Sequence, residues 1–230
     1  MGTVAENLHA VRERIAKAAA RVGRDPESVT LVAVTKTVPV ERIRAAIVAG
    51  QQVFGENRVQ EAQAKVQALG RDVHWHLIGH LQRNKVRFVC ELFDLIHSVD
   101  SLPLAQDIDR RAAQQGIVMP ILIQVNIGDE TTKSGVALVD TRPLVQEVAA
   151  LSHVAIRGLM CIPPALEDPE AVRPYFAQLR ALAEQIDQMH LPEVAMTELS
   201  MGMSHDFEVA IEEGATMVRV GSAIFGPRPV

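Results

Sequence analysis

The chain alternates between two kinds of segment. Short runs rich in aliphatic and β-branched residues occur at 30–35, 52–55, 73–78, 95–98, 120–125, 155–160, 196–199 and 217–220, and amphipathic stretches lie between them at about 40–49, 58–69, 82–92, 101–115, 138–150, 170–189 and 205–213. Runs of that length suit buried parallel strands, and the spacers are long enough for crossover helices, so the pattern reads as repeated βα units. Eight parallel strands with right-handed crossovers can close into a barrel, which leaves no sheet edge. The expected fold is therefore α/β: one (β/α)8 TIM barrel over residues 1–230, preceded by an extra helix. Val4, Leu8, Val11, Ile15 and Val22 mark that helix, and Gly23 with Asp25-Pro26 ends it. An open doubly wound sheet is the alternative, but its first strand normally runs into a Gly-rich turn, where this chain has Thr35-Lys36-Thr37-Val38-Pro39.

Composition removes several functional classes. Of the 230 residues 48% are hydrophobic, enough for one large core without staples. The net charge of −5 carries no block of like charges and no basic stripe, which argues against a nucleic-acid partner. Cys90 and Cys161 have neither CxxC nor metal-ligand spacing, so they read as free thiols of a reducing, cytoplasmic protein. The N-terminal residues alternate apolar with charged, unlike a signal peptide, and no stretch is long and apolar enough to span a membrane.

In a TIM barrel the chemistry gathers at the C-terminal ends of the strands, with phosphate sites favouring the last two loops. Polar residues of this chain fall there: Lys36, Glu56-Asn57, Gly79-His80, Ser98-Val99-Asp100, Asn126, Ser200-Met201-Gly202-Met203-Ser204 and Gly221-Ser222. Lys36 ends an apolar run, where partial desolvation would favour the uncharged amine that attacks an aldehyde; it could equally snorkel past the rim into water. Arg219 sits among valines, and strand alternation sends it opposite to Val218 and Val220, into the barrel if those valines meet the helices. A buried guanidinium needs an acceptor, either a carboxylate from a neighbouring strand or a ligand atom. The small residues of 200–204 and 221–226 supply hydroxyls and backbone N–H groups of the kind that hold phosphate. Together these point to a phosphorylated aldehyde cofactor.

Eight segments carry a resemblance to a known family: 32–36 (VAVTK), 54–61 (FGENRVQE), 75–85 (WHLIGHLQRNK), 97–101 (HSVDS), 125–135 (VNIGDETTKSG), 157–163 (RGLMCIP), 199–208 (LSMGMSHDFE) and 217–226 (MVRVGSAIFG). In these the chain resembles the YggS/PROSC family of pyridoxal phosphate (PLP) homeostasis proteins, whose fold is similar to the N-terminal barrel of alanine racemase. The resemblance implies PLP as cofactor, held covalently as a Schiff base on Lys36. Arg219 would partner the pyridine nitrogen, Ser200, Gly221 and Ser222 the phosphate, with Gly202 and Ser204 in the same loop, and Asn57 would lie near the ring. Arg83 departs from the pattern, which has a small residue there.

An arginine cannot accept the proton of a pyridinium, so it handicaps the strong electron-sink form of PLP without abolishing it, since racemases with the same barrel also use an arginine. The resemblance thus implies a non-catalytic cofactor carrier with no catalytic residue, acting in vitamin B6 and amino-acid balance, monomeric, and with PLP-dependent apo-enzymes as recipients. A small amino-acid racemase is the alternative. Racemases of this fold use a tyrosine from a second domain, whereas Tyr175, the only tyrosine here, falls within a helical stretch. Metal binding by His74, His76 and His80 is a third reading, but two histidines on one strand face make half a site, so no metal is expected. Asp129, Glu130 and Lys133 read as a solvated loop with a possible gating role.

Overall fold

A computed structural model describes residues 2–128 and 134–227; the loop carrying Asp129, Glu130 and Lys133 lies outside the described residues. The chain opens with helix α1, Val4–Arg21, started by a capping box in which the Thr3 hydroxyl accepts from the Glu6 N–H and the Glu6 carboxylate accepts from the Thr3 N–H. Its apolar face, Val4, Leu8, Val11 and Ile15, is buried against the barrel's outer layer.

The strands are β1 Thr30–Val34, β2 Val53–Glu56, β3 His74–Leu77, β4 Leu95–Val99, β5 Met119–Asn126, β6 Val136–Ala137, β7 Val154–Cys161, β8 Val194–Met203 and β9 Met217–Val220. Helices α2 Val40–Val48, α3 Val59–Leu69, α4 Val89–Leu92, α5 Leu102–Gln115, α6 Thr141–Val148, α7 Arg173–Asp187, α8 Phe207–Glu212 and α9 Ser222–Phe225 lie between and after them. The strand order β4-β3-β2-β1-β9-β8-β7-β5 is closed by the β4–β5 pairing, and every pairing is parallel. This is an eight-stranded (β/α)8 barrel, not an open doubly wound sheet. The short β6 only extends the end of β5, pairing Val136 with Val125.

Strand alternation divides the core in two. Leu31, Ala33, Phe54, Trp75 and Val218 join the layer between strands and helices, whereas Val32, Val34, Leu95, Leu122, Met160 and Met217 form a separate cluster inside the barrel. Two segments differ from the sequence expectation. The stretch at 82–92 divides into a 3₁₀ helix, Arg83–Phe88, and the short α4, with Arg83 tied to Asp107 of α5 at 2.5 Å. Strand β8 continues past Leu199 to Met203, because a register shift opposite Met217–Arg219 lets the polar residues from Ser200 onward stay in the ladder.

Candidate functional site

Strand β1 lies between β2 and β9, so the residues that follow these strands are neighbours at the barrel mouth. Lys36, half-buried in the turn after β1, lines a cleft of about 420 Å³ together with Thr37, Arg42, Gly221 and Ser222. The end of β9 runs close against β1: a Cβ on Gly221 would lie 3.3 Å from both the Cβ and the carbonyl oxygen of Val34. Beside it the Ser204 hydroxyl accepts from the backbone N–H of Gly221 at 3.2 Å and of Ala223 at 3.4 Å. Two N–H groups converging on one oxygen, with the Ser222 hydroxyl adjacent in the chain, make a donor set suited to an oxyanion.

Arg219 lies two residues below Gly221, level with Val32 in the ladder. The valines flanking it face the helices and its guanidinium points into the barrel, where it is 4% exposed. No carboxylate among the described residues forms an ion pair with it. Instead it donates to Ser200 Oγ at 2.6 Å and to the Cys161 carbonyl at 2.8 Å. The chain of contacts continues inward: Ser200 Oγ is 2.8 Å from His97 Nδ1, and His97 Nε2 is 3.0 Å from His76 Nδ1. Burial pushes all three ionisable members toward neutrality. It lowers the Arg219 pKa from its ordinary value, holds His97 well below the usual histidine range, and takes His76 down to about 4. Both histidines are therefore uncharged at neutral pH, and among the described residues the fixed positive charge inside the barrel is that of Arg219.

The residues singled out in the sequence are thus gathered unequally. Lys36, Ser204, Gly221 and Ser222 meet at the mouth, with Arg219 beneath them. Ser200 is placed elsewhere: it pairs with Met217, is fully buried, and its hydroxyl serves Arg219 and His97. Met217 and Gly221 are four positions apart, roughly 13 Å along a strand, which sets Ser200 well below the end of β9. Gly202 has φ of 89° and packs on α8, where a Cβ would come within 2.6 Å of Ala210 Cβ and 2.9 Å of Phe207 Cα. It is a close-approach glycine. Asn57 borders a neighbouring recess of about 480 Å³ with Gly79 and His80, which shares no lining residue with the cleft of Lys36.

The three clustered histidines part company. His74 and His80 are exposed, 3.7 Å from Asp94 and 3.9 Å from Asp100 respectively, and only His76 enters the barrel. Among the described residues no group of three or more His, Cys, Asp or Glu could hold a metal ion. Tyr175 lies on α7, packed against the outer core. Sequence reasoning gave no role to His97, Glu56, Glu61 or Lys65. His97 carried one local signal, a lone ionisable residue inside the run Leu95-Ile96-His97-Ser98-Val99, all of it buried.

Residues 7–229 of this parallel barrel match the family of the alanine racemase N-terminal domain, which sets the class of the protein. Within that class the chain is 49% identical over 224 residues to the pyridoxal phosphate homeostasis protein of Aquifex aeolicus, covering 97% of each chain. It is 44% identical over 232 residues to the protein of the same name from Escherichia coli K12, covering 99% of this chain and 98% of that one. The chain belongs to the family of pyridoxal phosphate homeostasis proteins. Among solved structures, PipY of Synechococcus elongatus with PLP bound superposes with a TM-score of 0.85 at 41% identity, over 97% of this chain and 100% of that one. Alanine racemase of Corynebacterium glutamicum, at 17% identity and a TM-score of 0.71, shares the fold over 99% of this chain and 61% of its own.

Proposed function

We propose that the protein holds pyridoxal 5′-phosphate at the barrel mouth, attached covalently to Lys36, and serves PLP homeostasis as a carrier without catalytic turnover. The observation that carries this reading is the cleft that unites Lys36 with Gly221 and Ser222 above a buried Arg219 that has no ion-pair contact among the described residues. The N–H groups of Gly221 and Ala223 and the hydroxyls of Ser204 and Ser222 would receive the phosphate. Arg219 would donate to the ring nitrogen.

When bound, the cofactor supplies an aldehyde for Lys36 and an electron-accepting ring. Arg219 limits that second property, because a guanidinium donates hydrogen bonds and cannot take a pyridinium proton. His97 and His76, held neutral by burial, add no acid behind it. Tyr175 sits outside the barrel, so it cannot act as the second base that racemisation needs. These features favour carriage over racemisation. The reading extends to a monomer working in the cytoplasm as one domain, with PLP-dependent apo-enzymes as recipients.

Borohydride reduction of the purified holo-protein, followed by peptide mapping, tests the assignment. A pyridoxyl group should appear on Lys36 and disappear in Lys36→Ala, which should keep its fold because the replaced side chain lies beyond the ladder. An adduct of equal yield on another lysine in the variant would refute it.

A further inference from the structure

On the outer side of β1 and β2, behind Lys36, a buried charged cluster joins α3 to the turn that bears the lysine. Glu61 and Lys65 lie one helical turn apart on α3 and face the strand ends. Lys65 Nζ donates to the Thr35 carbonyl at 2.6 Å, to Glu56 Oε1 at 2.7 Å and to Glu61 Oε1 at 2.7 Å. The Thr35 hydroxyl donates to Glu56 Oε1 at 2.5 Å, and Glu61 Oε1 accepts from the Thr37 N–H at 2.5 Å. The carbonyl of the peptide before Lys36 and the N–H of the peptide after it are therefore both held by α3. Thr37, at φ of 63°, sits in the left-handed region that β-branched residues seldom enter.

Charges are an expensive way to fill this space. The side chains of Lys65 and Glu56 are 7% and 0% exposed, and a buried ion cluster is commonly no more stabilising than apolar residues of the same volume. What apolar residues cannot do is hold a carbonyl and an N–H at once. The first needs a donor and the second an acceptor, and Lys65 with Glu61 supplies one of each.

We infer that Glu61 and Lys65, acting through Thr35 and Thr37, are positioning residues for Lys36. They keep the turn in one conformation whether or not the cofactor is present, and so set the rate at which the lysine captures it. The inference rests on the assignment of Lys36 made above. Capture joins the Lys36 nitrogen to the aldehyde carbon and releases the carbonyl oxygen as water; nothing is oxidised or reduced.

The test separates docking from capture in the full-length apo-protein. Pyridoxine 5′-phosphate, which has the phosphate and ring nitrogen but no aldehyde, reports docking by equilibrium titration, and stopped-flow absorbance with PLP reports capture. Glu61→Ala should bind pyridoxine 5′-phosphate within twofold of wild type while capturing PLP at least tenfold more slowly. Glu61→Gln keeps an acceptor for Thr37 and should be slowed less, which also provides a readout should the alanine variant fold poorly. Adding Thr37→Gly to Glu61→Ala should restore much of the rate, since glycine enters the left-handed region without steric cost. Wild-type capture rates in folded Glu61→Ala, or an equal loss of docking and capture, would overturn the inference. A wild-type adduct on a different lysine would instead overturn the Lys36 assignment beneath it.

Discussion

Ser200 and Ser204 are four residues apart in one strand and its loop, yet their surroundings predict opposite ligand dependence when either is changed to alanine. Ser204 Oγ stands where the N–H groups of Gly221 and Ala223 converge, at 3.2 and 3.4 Å. A hydroxyl in contact with phosphate contributes about 1.5–3 kcal/mol as a hydrogen bond to a charged group. Its removal should therefore weaken PLP roughly 10- to 150-fold and leave pyridoxal, which has no phosphate, nearly unaffected. Ser200 meets Arg219 at 2.6 Å and on the proposed placement would act on the cofactor only through it. Ser200→Ala strands a buried guanidinium N–H and His97 Nδ1, at a cost to folding of about 1–3 kcal/mol per unsatisfied group, and should weaken PLP and pyridoxal by the same factor. Parallel titrations with the two ligands, with urea unfolding of each variant, measure both effects. A loss in Ser200→Ala confined to PLP would mean that the phosphate sits inside the barrel, and the placement argued from the β8–β9 register would be wrong.

Acid should destabilise the protein through its two internal histidines. Their folded pKa values lie below the ordinary 6.5, His76 at about 4, so their contribution is complete above pH 6.5 and is lost as the unfolded chain takes up protons on the way down. Each histidine then removes about 1.4 kcal/mol per pH unit, or roughly 3 kcal/mol for His76 between pH 6.5 and 4. Burial raises the pKa of Glu56 and Asp206, which works in the opposite sense, so the informative comparison is with His97→Gln, whose stability in urea melts should fall less steeply from pH 6.5 to 5. Equal slopes would show that His97 is not held neutral. Gly202→Ala should lower stability by about 1–3 kcal/mol or more through the clash with Phe207 and Ala210, in urea melts, while folded protein keeps its relative affinity for PLP and pyridoxal; a selective loss of PLP would return Gly202 to the phosphate site.

The barrel was legible because each strand announces itself locally: a parallel strand buried on both faces reads as an apolar run whatever its partners. Where polar residues continue a strand, that signal stops early. Ser200 and Gly202 ended the apparent seventh run, although β8 continues to Met203 through a register shift that only the neighbouring β9 can define. Parity made the inward direction of Arg219 conditional on Val218 and Val220 facing the helices, and both do. Parity could not give Ser200 its role. Whether an inward serine meets a phosphate or a guanidinium depends on its height in the barrel, and height is a property of the closed sheet. For the same reason His97 was unreadable, as its partners His76 and Ser200 come from β3 and β8, 21 and 103 residues away.

Glu61 and Lys65 show the converse limit, because a Glu–Lys pair four apart on a helix is by default a solvated surface pair. Here the fold lays it over the ends of β1 and β2 and buries the lysine. Charge balance then separates the two sides of these strands. Behind β1, Lys65 has two carboxylates within 2.7 Å, so that side needs no further anion. Inside the barrel Arg219 has a hydroxyl and a carbonyl and no carboxylate partner among the described residues, while the mouth two residues above it presents N–H donors and a lysine. Asp206 acts on Arg219 only at longer range, without an ion-pair contact, so the mouth would keep a positive potential that favours a phosphate dianion. On the proposed placement the ring nitrogen would face a donor and not an acid, so a single side chain would favour holding the cofactor while limiting its chemistry.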